Sequence, residues 1–212
     1  LSSDLPKNNT RRLIRTLSGH RAEVSQVSMS PDGLLLASGG EYYDGSVRLW
    51  YVPTGRLITT EFLGKGSVDD LSFSKSGRYL FVQHQYVTKR WRLEGSAESV
   101  RLIEIAAKDW PKNEVIASNE YALRGDGVKT NPNPLPFNAV TLSHDYTLLA
   151  MQPGSQSFAT VQDEDTVSRI TLWSITGSVL RSFKTPYTVK NLVFSSDGQS
   201  LIISYQNSKI LF

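Results

Sequence analysis

The sequence predicts an all-β fold of repeated four-stranded units, a β-propeller, and the main evidence is an internal repeat. Four segments share one pattern: an apolar residue, an apolar-x-apolar pair, a polar turn and a second apolar run, which is typical of a β-hairpin. Each turn carries a serine, and the serines are 44, 69 and 52 residues apart. A period of about 40–45 residues with four short strands is typical of a propeller blade. The turn serines are Ser30, Ser74, Ser143 and Ser195.

The first unit, residues 15–60, is the most regular of the four. Its landmarks are Gly19-His20, the Ser-Pro-Asp-Gly turn at 30–33, Asp44-Gly45 and Arg48-Leu49-Trp50. With these landmarks the unit resembles a WD40 repeat over nearly its whole length. The family's final aspartate is replaced by Tyr51. The resemblance implies a WD40-like propeller.

The resemblance also implies a hydrogen-bonded chain inside the first blade. In the family a His, a Ser, an Asp and a Trp of one blade form this chain, and the matching residues are His20, Ser38, Asp44 and Trp50. We expect a structural role for this tetrad because buried polar groups must find such partners. A catalytic Ser-His-Asp triad is the alternative interpretation.

The other three units keep only the hydrophobic pattern. In the second unit Arg92 stands at the expected tryptophan position, with Trp91 one residue before it. The third unit has Trp173, but residues 152–167 replace its tight turn. The fourth unit has Phe212 where tryptophan is expected. We expect these blades to depend mainly on apolar packing.

The chain is predicted to be a single domain, residues 1–212, with about four blades. The divergent blades cover residues 61–105, 137–184 and 187–212, and residues 106–136 form an insertion. The fourth blade lacks an outer strand, and residues 11–17 are expected to supply it, antiparallel to the strand that ends at Phe212. Three explanations of the small blade number stay open: a fragment of a larger propeller, two chains that complete one eight-bladed ring, or a compact single-chain ring.

Composition narrows the classes of partner and compartment. The net charge is +3, and 23 Lys and Arg are scattered among 20 acidic residues, so nucleic acid is not the expected partner. No apolar stretch approaches the length of a membrane helix, and no membrane association is expected. The sequence has no Cys, which fits the cytoplasm or another reducing compartment. We expect no metal site and no cofactor.

A non-catalytic scaffold that binds a protein partner is the predicted function, because propeller rims present loops on a rigid disc. The family's binding face is lined by the residues three and five after the blade histidine and by the residue before the turn aspartate. Tyr43 is the best single anchor, since tyrosine is enriched in interface hot spots; a surface tyrosine in a flexible turn is the alternative. A second copy, or the rest of a longer chain, is a further partner that would complete the ring. The candidate contact residues are Glu23, Ser25, Tyr43, Ser67, Asp69, Asn138, Thr188 and Lys190.

The alternative function is a propeller-type enzyme with an active site in the central channel. It would need converging acid, base or nucleophilic side chains. The chain has three histidines, of which His20 belongs to the expected tetrad, His84 lies in a hairpin and His144 lies in a turn. No phosphate-binding loop, metal-spaced cluster or nucleophile elbow is present in the sequence. We therefore predict that the protein is not an enzyme.

Overall fold

The computed structural model describes residues 14–85, 87–114, 148–151, 157–164, 166–174, 178–195, 198–206 and 210–211. In these residues the regular structure consists of four antiparallel four-stranded sheets and one 3-10 turn, Ala107–Asp109. The fold is therefore all-β, as predicted. Within the same ranges no helix is long and apolar enough to cross a membrane.

Each sheet corresponds to one blade, and its strands follow one another from the inside to the outside. The first blade contains β2 (Val24–Met29), β3 (Leu35–Gly40), β4 (Ser46–Tyr51) and β5 (Arg56–Phe62). The second contains β6 (Val68–Phe73), β7 (Tyr79–His84), β8 (Val87–Glu94) and β9 (Arg101–Glu104). The third contains β10 (Leu148–Met151), β11 (Ser157–Glu164), β12 (Val167–Ser174) and β13 (Val179–Lys184). The fourth contains β14 (Val189–Phe194), β15 (Leu201–Tyr205), β16 (Ile210–Leu211) and β1 (Thr16–Leu17).

The fourth blade combines strands from both ends of the described chain. β1 pairs antiparallel with β16, and Leu17 lies opposite Ile210. This is the pairing expected for residues 11–17, and it occurs within one chain; residues 11–13 and Phe212 lie outside the described residues. Leu17 and Ile210 are both buried, so the pair contributes to the core as well as to the sheet.

The four blades form a partial propeller. Their innermost strands pack in the order β10, β14, β2 and β6, so the fourth blade lies between the third and the first. Among the described residues no comparable packing joins β6 to β10. The apolar core therefore lies between adjacent blades, where side chains of both sheet faces are covered.

Three of the four predicted turns have the same hydrogen bonds. In the first, the N–H of Gly33 donates to the carbonyl of Ser30 at 2.9 Å, and the Ser30 hydroxyl accepts from the N–H of Leu35 at 2.9 Å. Ser74 and Ser195 repeat this arrangement in the second and fourth blades. The glycine of each turn has a φ of about 70°, which favours glycine over other residues. Ser143 lies outside the described residues.

The structure corrects the strand assignment of the third unit. Residues 157–164, which the sequence suggested as part of a long loop, form β11 and pair with β12 over their whole length. Among the described strands, Leu148–Met151 is therefore the innermost of this blade and not the second. The prediction failed because Pro153 and Gly154 precede this segment and Asp163 follows its apolar part, so the whole stretch has the composition of a loop.

Candidate binding face

The four residues of the expected tetrad are brought together in the first blade. His20 Nδ1 donates to the Asp44 carboxylate, and His20 Nε2 lies 2.7 Å from the Ser38 hydroxyl. The Trp50 indole N–H donates to the same hydroxyl oxygen at 2.8 Å. All four residues are buried, so the chain of hydrogen bonds runs through the interior of the blade.

Asp44 is the most heavily bonded member of the tetrad. It accepts hydrogen bonds from the Ser46 hydroxyl at 2.8 Å and from the backbone N–H of Arg21 at 3.2 Å, besides that of His20. Burial acts to raise the pKa of Asp44, but the hydrogen bonds from His20 and Ser46 outweigh it, so the pKa lies below its ordinary value. Asp44 therefore remains a carboxylate that fixes the turn and the imidazole together.

The geometry of the tetrad does not suit nucleophilic catalysis. Ser38 is 0% exposed, and its hydroxyl contacts both the imidazole and the indole. A nucleophile needs an open side from which a substrate can approach. These contacts favour the structural interpretation of the tetrad.

The second blade has a tryptophan at the equivalent position, which corrects the sequence assignment. Trp91 lies opposite Leu80, just as Trp50 lies opposite Leu36 in the first blade. The expected position was Arg92. The offset arises because β7 and β8 are joined by only residues 85–86, whereas β3 and β4 are joined by residues 41–45.

The third blade contains one hydrogen bond that the sequence did not reveal. The Trp173 indole N–H donates to the Thr160 hydroxyl at 2.9 Å. Thr160 takes the position of Ser38, because Phe158 lies opposite Trp173 as Leu36 lies opposite Trp50. Only the strand assignment of residues 157–164 could have identified this partner. Phe212, the expected equivalent in the fourth blade, lies outside the described residues.

Tyr43 projects from a turn with many backbone hydrogen bonds. Its side chain is 87% exposed, and its ring meets that of Tyr42 edge to face with 5.4 Å between the centroids. The N–H groups of Asp44 and Gly45 both donate to the carbonyl of Glu41, at 2.8 and 2.9 Å. The turn is also bonded to residues 23, 63 and 66. This hydrogen bonding favours an ordered turn over a flexible one.

Two further candidate residues join adjacent blades through charge. Lys190 of β14 lies 3.0 Å from the carboxylate of Glu23 and 3.8 Å from that of Glu41. All three side chains are partly exposed. The group therefore connects the fourth blade to the first at the same end of the strands as Tyr43.

The remaining candidates differ in exposure. Ser25 was expected on the binding face but is 6% exposed, and its hydroxyl donates to the carbonyl of Val68 at 2.8 Å. It joins the first two blades and cannot reach a partner, which corrects the prediction. Asp69 is exposed, Ser67 and Thr188 are half-buried, and Asn138 lies outside the described residues.

The described residues offer few groups for acid-base or metal chemistry. They contain no cluster of three or more His, Cys, Asp or Glu side chains that could hold a metal ion. His84 is buried in β7, and its Nε2 atom has no hydrogen-bond partner. His144 lies outside the described residues.

Comparison with known proteins identifies the repeat. Residues 11–51 match the family WD40, described as "WD domain, G-beta repeat". The chain is 44% identical over 80 residues to the ribosome biogenesis protein BOP1 homolog of Caenorhabditis elegans, a match that covers 35% of this chain and 11% of that protein. It is 38% identical over 87 residues to the small ribosomal subunit protein RACK1 of Glycine max, covering 41% of this chain and 26% of that protein.

A third relative is WD repeat-containing protein 36 of Homo sapiens, 35% identical over 75 residues, which are 35% of this chain and 8% of that protein. The matched region thus spans about a quarter or less of each of these relatives. These matches agree with the sequence landmarks of the first blade, with its hydrogen-bonded tetrad and with the four four-stranded sheets. Residues 11–51 therefore match a WD40 repeat, and the described residues have the fold of a partial propeller.

Proposed function

We propose that the chain is a non-catalytic scaffold that binds a protein partner with the face around Tyr43. The observation that carries this proposal is an almost fully exposed tyrosine on a hydrogen-bonded turn. Aromatic side chains dominate the energetics of protein interfaces, and tyrosine in particular is enriched in hot spots. A protein partner is favoured over nucleic acid because basic and acidic residues are nearly balanced.

The turn lowers the entropic cost of binding. A loop that must be ordered on binding loses part of its interaction energy to that ordering. Here Asp44 fixes the turn through the buried tetrad, and Tyr42 packs against the edge of the Tyr43 ring. Tyr43 is therefore presented in a defined position before a partner arrives.

The neighbouring charges give this face its polar surround. Glu23, Glu41 and Lys190 form the ion-paired group that joins two blades, and Asp69 is exposed on β6. Exposed ion pairs add little stability, typically below about 1 kcal/mol. We expect these residues to orient a partner and Tyr43 to supply most of the binding energy.

The relatives support a scaffold role in general terms. Two of them are named as a ribosome biogenesis protein and a small ribosomal subunit protein. Because the matches span only a small part of these proteins, their partners are not assigned to this chain. A cytoplasmic location, or another reducing compartment, remains our proposal on the basis of a sequence without Cys.

The test is partner capture with matched surface variants. Wild-type protein, Tyr43→Ala and Leu180→Ala serve as baits, since Leu180 is also an exposed side chain, 60% by area, but lies on the outer strand of the third blade. We expect at least one protein to be retained by wild type and by Leu180→Ala and to be lost with Tyr43→Ala. That protein, purified, should bind wild type at least tenfold more tightly than Tyr43→Ala, the loss of about 1.4 kcal/mol or more that marks an important contact.

Two outcomes would contradict the proposal. One is an identical set of captured proteins for all three baits. The other is equal affinity of the purified partner for wild type and Tyr43→Ala, which would place the contact elsewhere on the propeller. Turnover in a broad hydrolase and oxidoreductase screen would instead favour the enzyme alternative.

A further inference from the structure

Arg48 of β4 is a buried cation without a counter-charge. It is 7% exposed, and its Nε atom has no hydrogen-bond partner. None of the ion pairs among the described residues includes it. The carboxylate of Asp44 already accepts hydrogen bonds from His20, from the Ser46 hydroxyl and from the backbone N–H of Arg21. Burying an unpaired charge is costly, so an anion that reached this guanidinium would offset that cost.

The guanidinium lies directly beneath the backbone of Gly19. A Cβ atom on residue 19 would stand 2.5 Å from Arg48 Nη1, and Gly19 has a φ of +148°. Glycine therefore lets the chain pass closely over the charge. Ser18 is the preceding residue, and consecutive Cα atoms are 3.8 Å apart, so the Cα of Ser18 lies within about 8 Å of that nitrogen. A phosphoserine side chain is long enough to cover most of this distance.

The sequence around Ser18 fits a kinase substrate. Arg15 stands three residues before it, and basophilic serine/threonine kinases recognise an arginine at that spacing. Ser18 is exposed and lies in the irregular segment between β1 and β2. The Arg15 side chain makes a hydrogen bond to the carbonyl of Pro53 at 3.1 Å, an exposed contact that is easily exchanged for another.

We propose that Ser18 is a phosphorylation site and that Arg48 is the residue that binds the phosphate. A kinase would transfer the γ-phosphoryl group of ATP to the Ser18 hydroxyl oxygen, with ADP as leaving group and the hydroxyl proton passing to the base of the kinase. The phosphate then pairs with the planar guanidinium, which suits two parallel hydrogen bonds. This contact fastens the segment after β1, a strand of the fourth blade, to β4 of the first blade. It is independent of the partner face around Tyr43.

The test uses the whole chain with phosphoserine incorporated at position 18. Phosphorus NMR should give a second phosphate pKa below its ordinary value of about 6, because Arg48 favours the dianion. The thermal midpoint should rise by about 2–4 °C relative to the unmodified chain. Arg48→Gln should abolish both differences. Arg21→Gln, which removes an exposed arginine three residues from Ser18, should retain them.

A second variant keeps the test readable if Arg48→Gln does not fold. Arg48→Lys retains the positive charge but not the planar guanidinium that can make two parallel hydrogen bonds. It should therefore retain part of the pKa difference and lose most of the difference in thermal midpoint. An ordinary phosphate pKa in the wild-type background would overturn the assignment of Arg48. So would differences that persist in Arg48→Gln or vanish in Arg21→Gln.

The kinase step has its own measurement. The folded wild-type chain is incubated with a basophilic serine kinase and ATP, and the modified residue is located by mass spectrometry. We expect label on Ser18 and a sharply lower rate for Arg15→Gln. Label confined to other residues would overturn Ser18 as a modification site.

Discussion

The first and third blades satisfy the same buried polar groups with different residues. In the first blade, His20 links the turn carboxylate of Asp44 to the hydroxyl that accepts from Trp50. In the third blade the hydroxyl is that of Thr160, which accepts from Trp173. The third blade therefore keeps the hydrogen bond between the serine and tryptophan positions of the tetrad, although its sequence does not follow the pattern of the first blade.

The third blade also secures its connection to the next blade with hydroxyl groups. Thr185 accepts from the N–H of Ser168 at 3.0 Å and donates to the carbonyl of Ser168 at 2.8 Å. The Ser168 hydroxyl accepts from the N–H of Val189 at 3.0 Å, which joins the third blade to the fourth. Buried polar groups need partners, but the physical requirement does not specify which side chains provide them. A divergent blade can therefore be as well satisfied as a regular one.

The largest effect is expected where a blade depends on a distant strand. Deleting residues 1–17 removes the partner of β16 and the buried side chain of Leu17. An exposed sheet edge invites pairing with other chains, so we expect aggregation or loss of the folded state. Deleting only residues 1–8 leaves the β1–β16 pair intact and serves as the control. Size-exclusion chromatography with light scattering, together with thermal melting, measures both variants. A soluble 18–212 chain with the oligomeric state and thermal midpoint of wild type would show that β1 is dispensable.

The next effect compares the tryptophans of the two blades. Trp50 is buried in the core between the fourth and first blades, whereas Trp173 is only half-buried. Trp50→Ala should cost roughly 3–5 kcal/mol of the free energy of unfolding, the usual range for such truncations. Trp173→Ala should cost less, because less of its ring is removed from water. Urea unfolding measures both variants, and equal costs would contradict the expectation that burial sets the difference between the two tryptophans.

Much of the first blade could be predicted from the sequence, because its local signals agree with one another. The same strands are indicated by turn residues 30–33, by the Asp44-Gly45 pair and by Trp50. The alternation of apolar and polar residues then indicates which side chains are buried. The register of Trp91 could not be predicted, since it depends on a shorter hairpin connection that counting along the chain does not reveal. Thr160 could not be found because its strand has the composition of a loop.

The binding face was predicted only in part, for a similar reason. Positions counted from the blade histidine and from the turn aspartate place Glu23 and Tyr43 at the surface, but they do not show how closely two blades approach. Ser25 lies where the first and second blades are in contact, so its hydroxyl bonds to Val68 of the neighbouring blade. Burial at such a seam depends on tertiary packing and is not encoded in local spacing.

A smaller effect compares single hydrogen-bonding groups. His20→Ala removes one buried hydrogen-bond partner from Asp44 and one from Ser38, and we expect a loss of about 1–3 kcal/mol. Thr160→Val removes the hydroxyl that accepts the hydrogen bond of the Trp173 N–H, so we expect a loss of about 0.5–1.5 kcal/mol of the free energy of unfolding. Both variants are measured by urea unfolding, with partner binding through Tyr43 as a second reading. A His20→Ala chain with the wild-type midpoint would show that the tetrad does not stabilise the blade.

The smallest effect is the pH dependence that Asp44 confers on the first blade. Hydrogen bonds from His20 and Ser46 overcome the opposing effect of burial and lower its pKa in the folded chain. A lowered folded-state pKa gives stability that is fully present above the unfolded value of about 3.9 and is lost as the pH falls through the folded-state value. The difference in unfolding free energy between wild type and Asp44→Asn should therefore be constant near neutral pH and shrink below about pH 4. Ser46→Ala removes one of the bonds that lower the pKa of Asp44, so in this variant the loss should be smaller and should be complete at a higher pH than in wild type. Urea midpoints between pH 7 and pH 3 measure all three chains, and a difference that stays constant to pH 3 would mean that the Asp44 carboxylate contributes no charge-dependent stability to the blade.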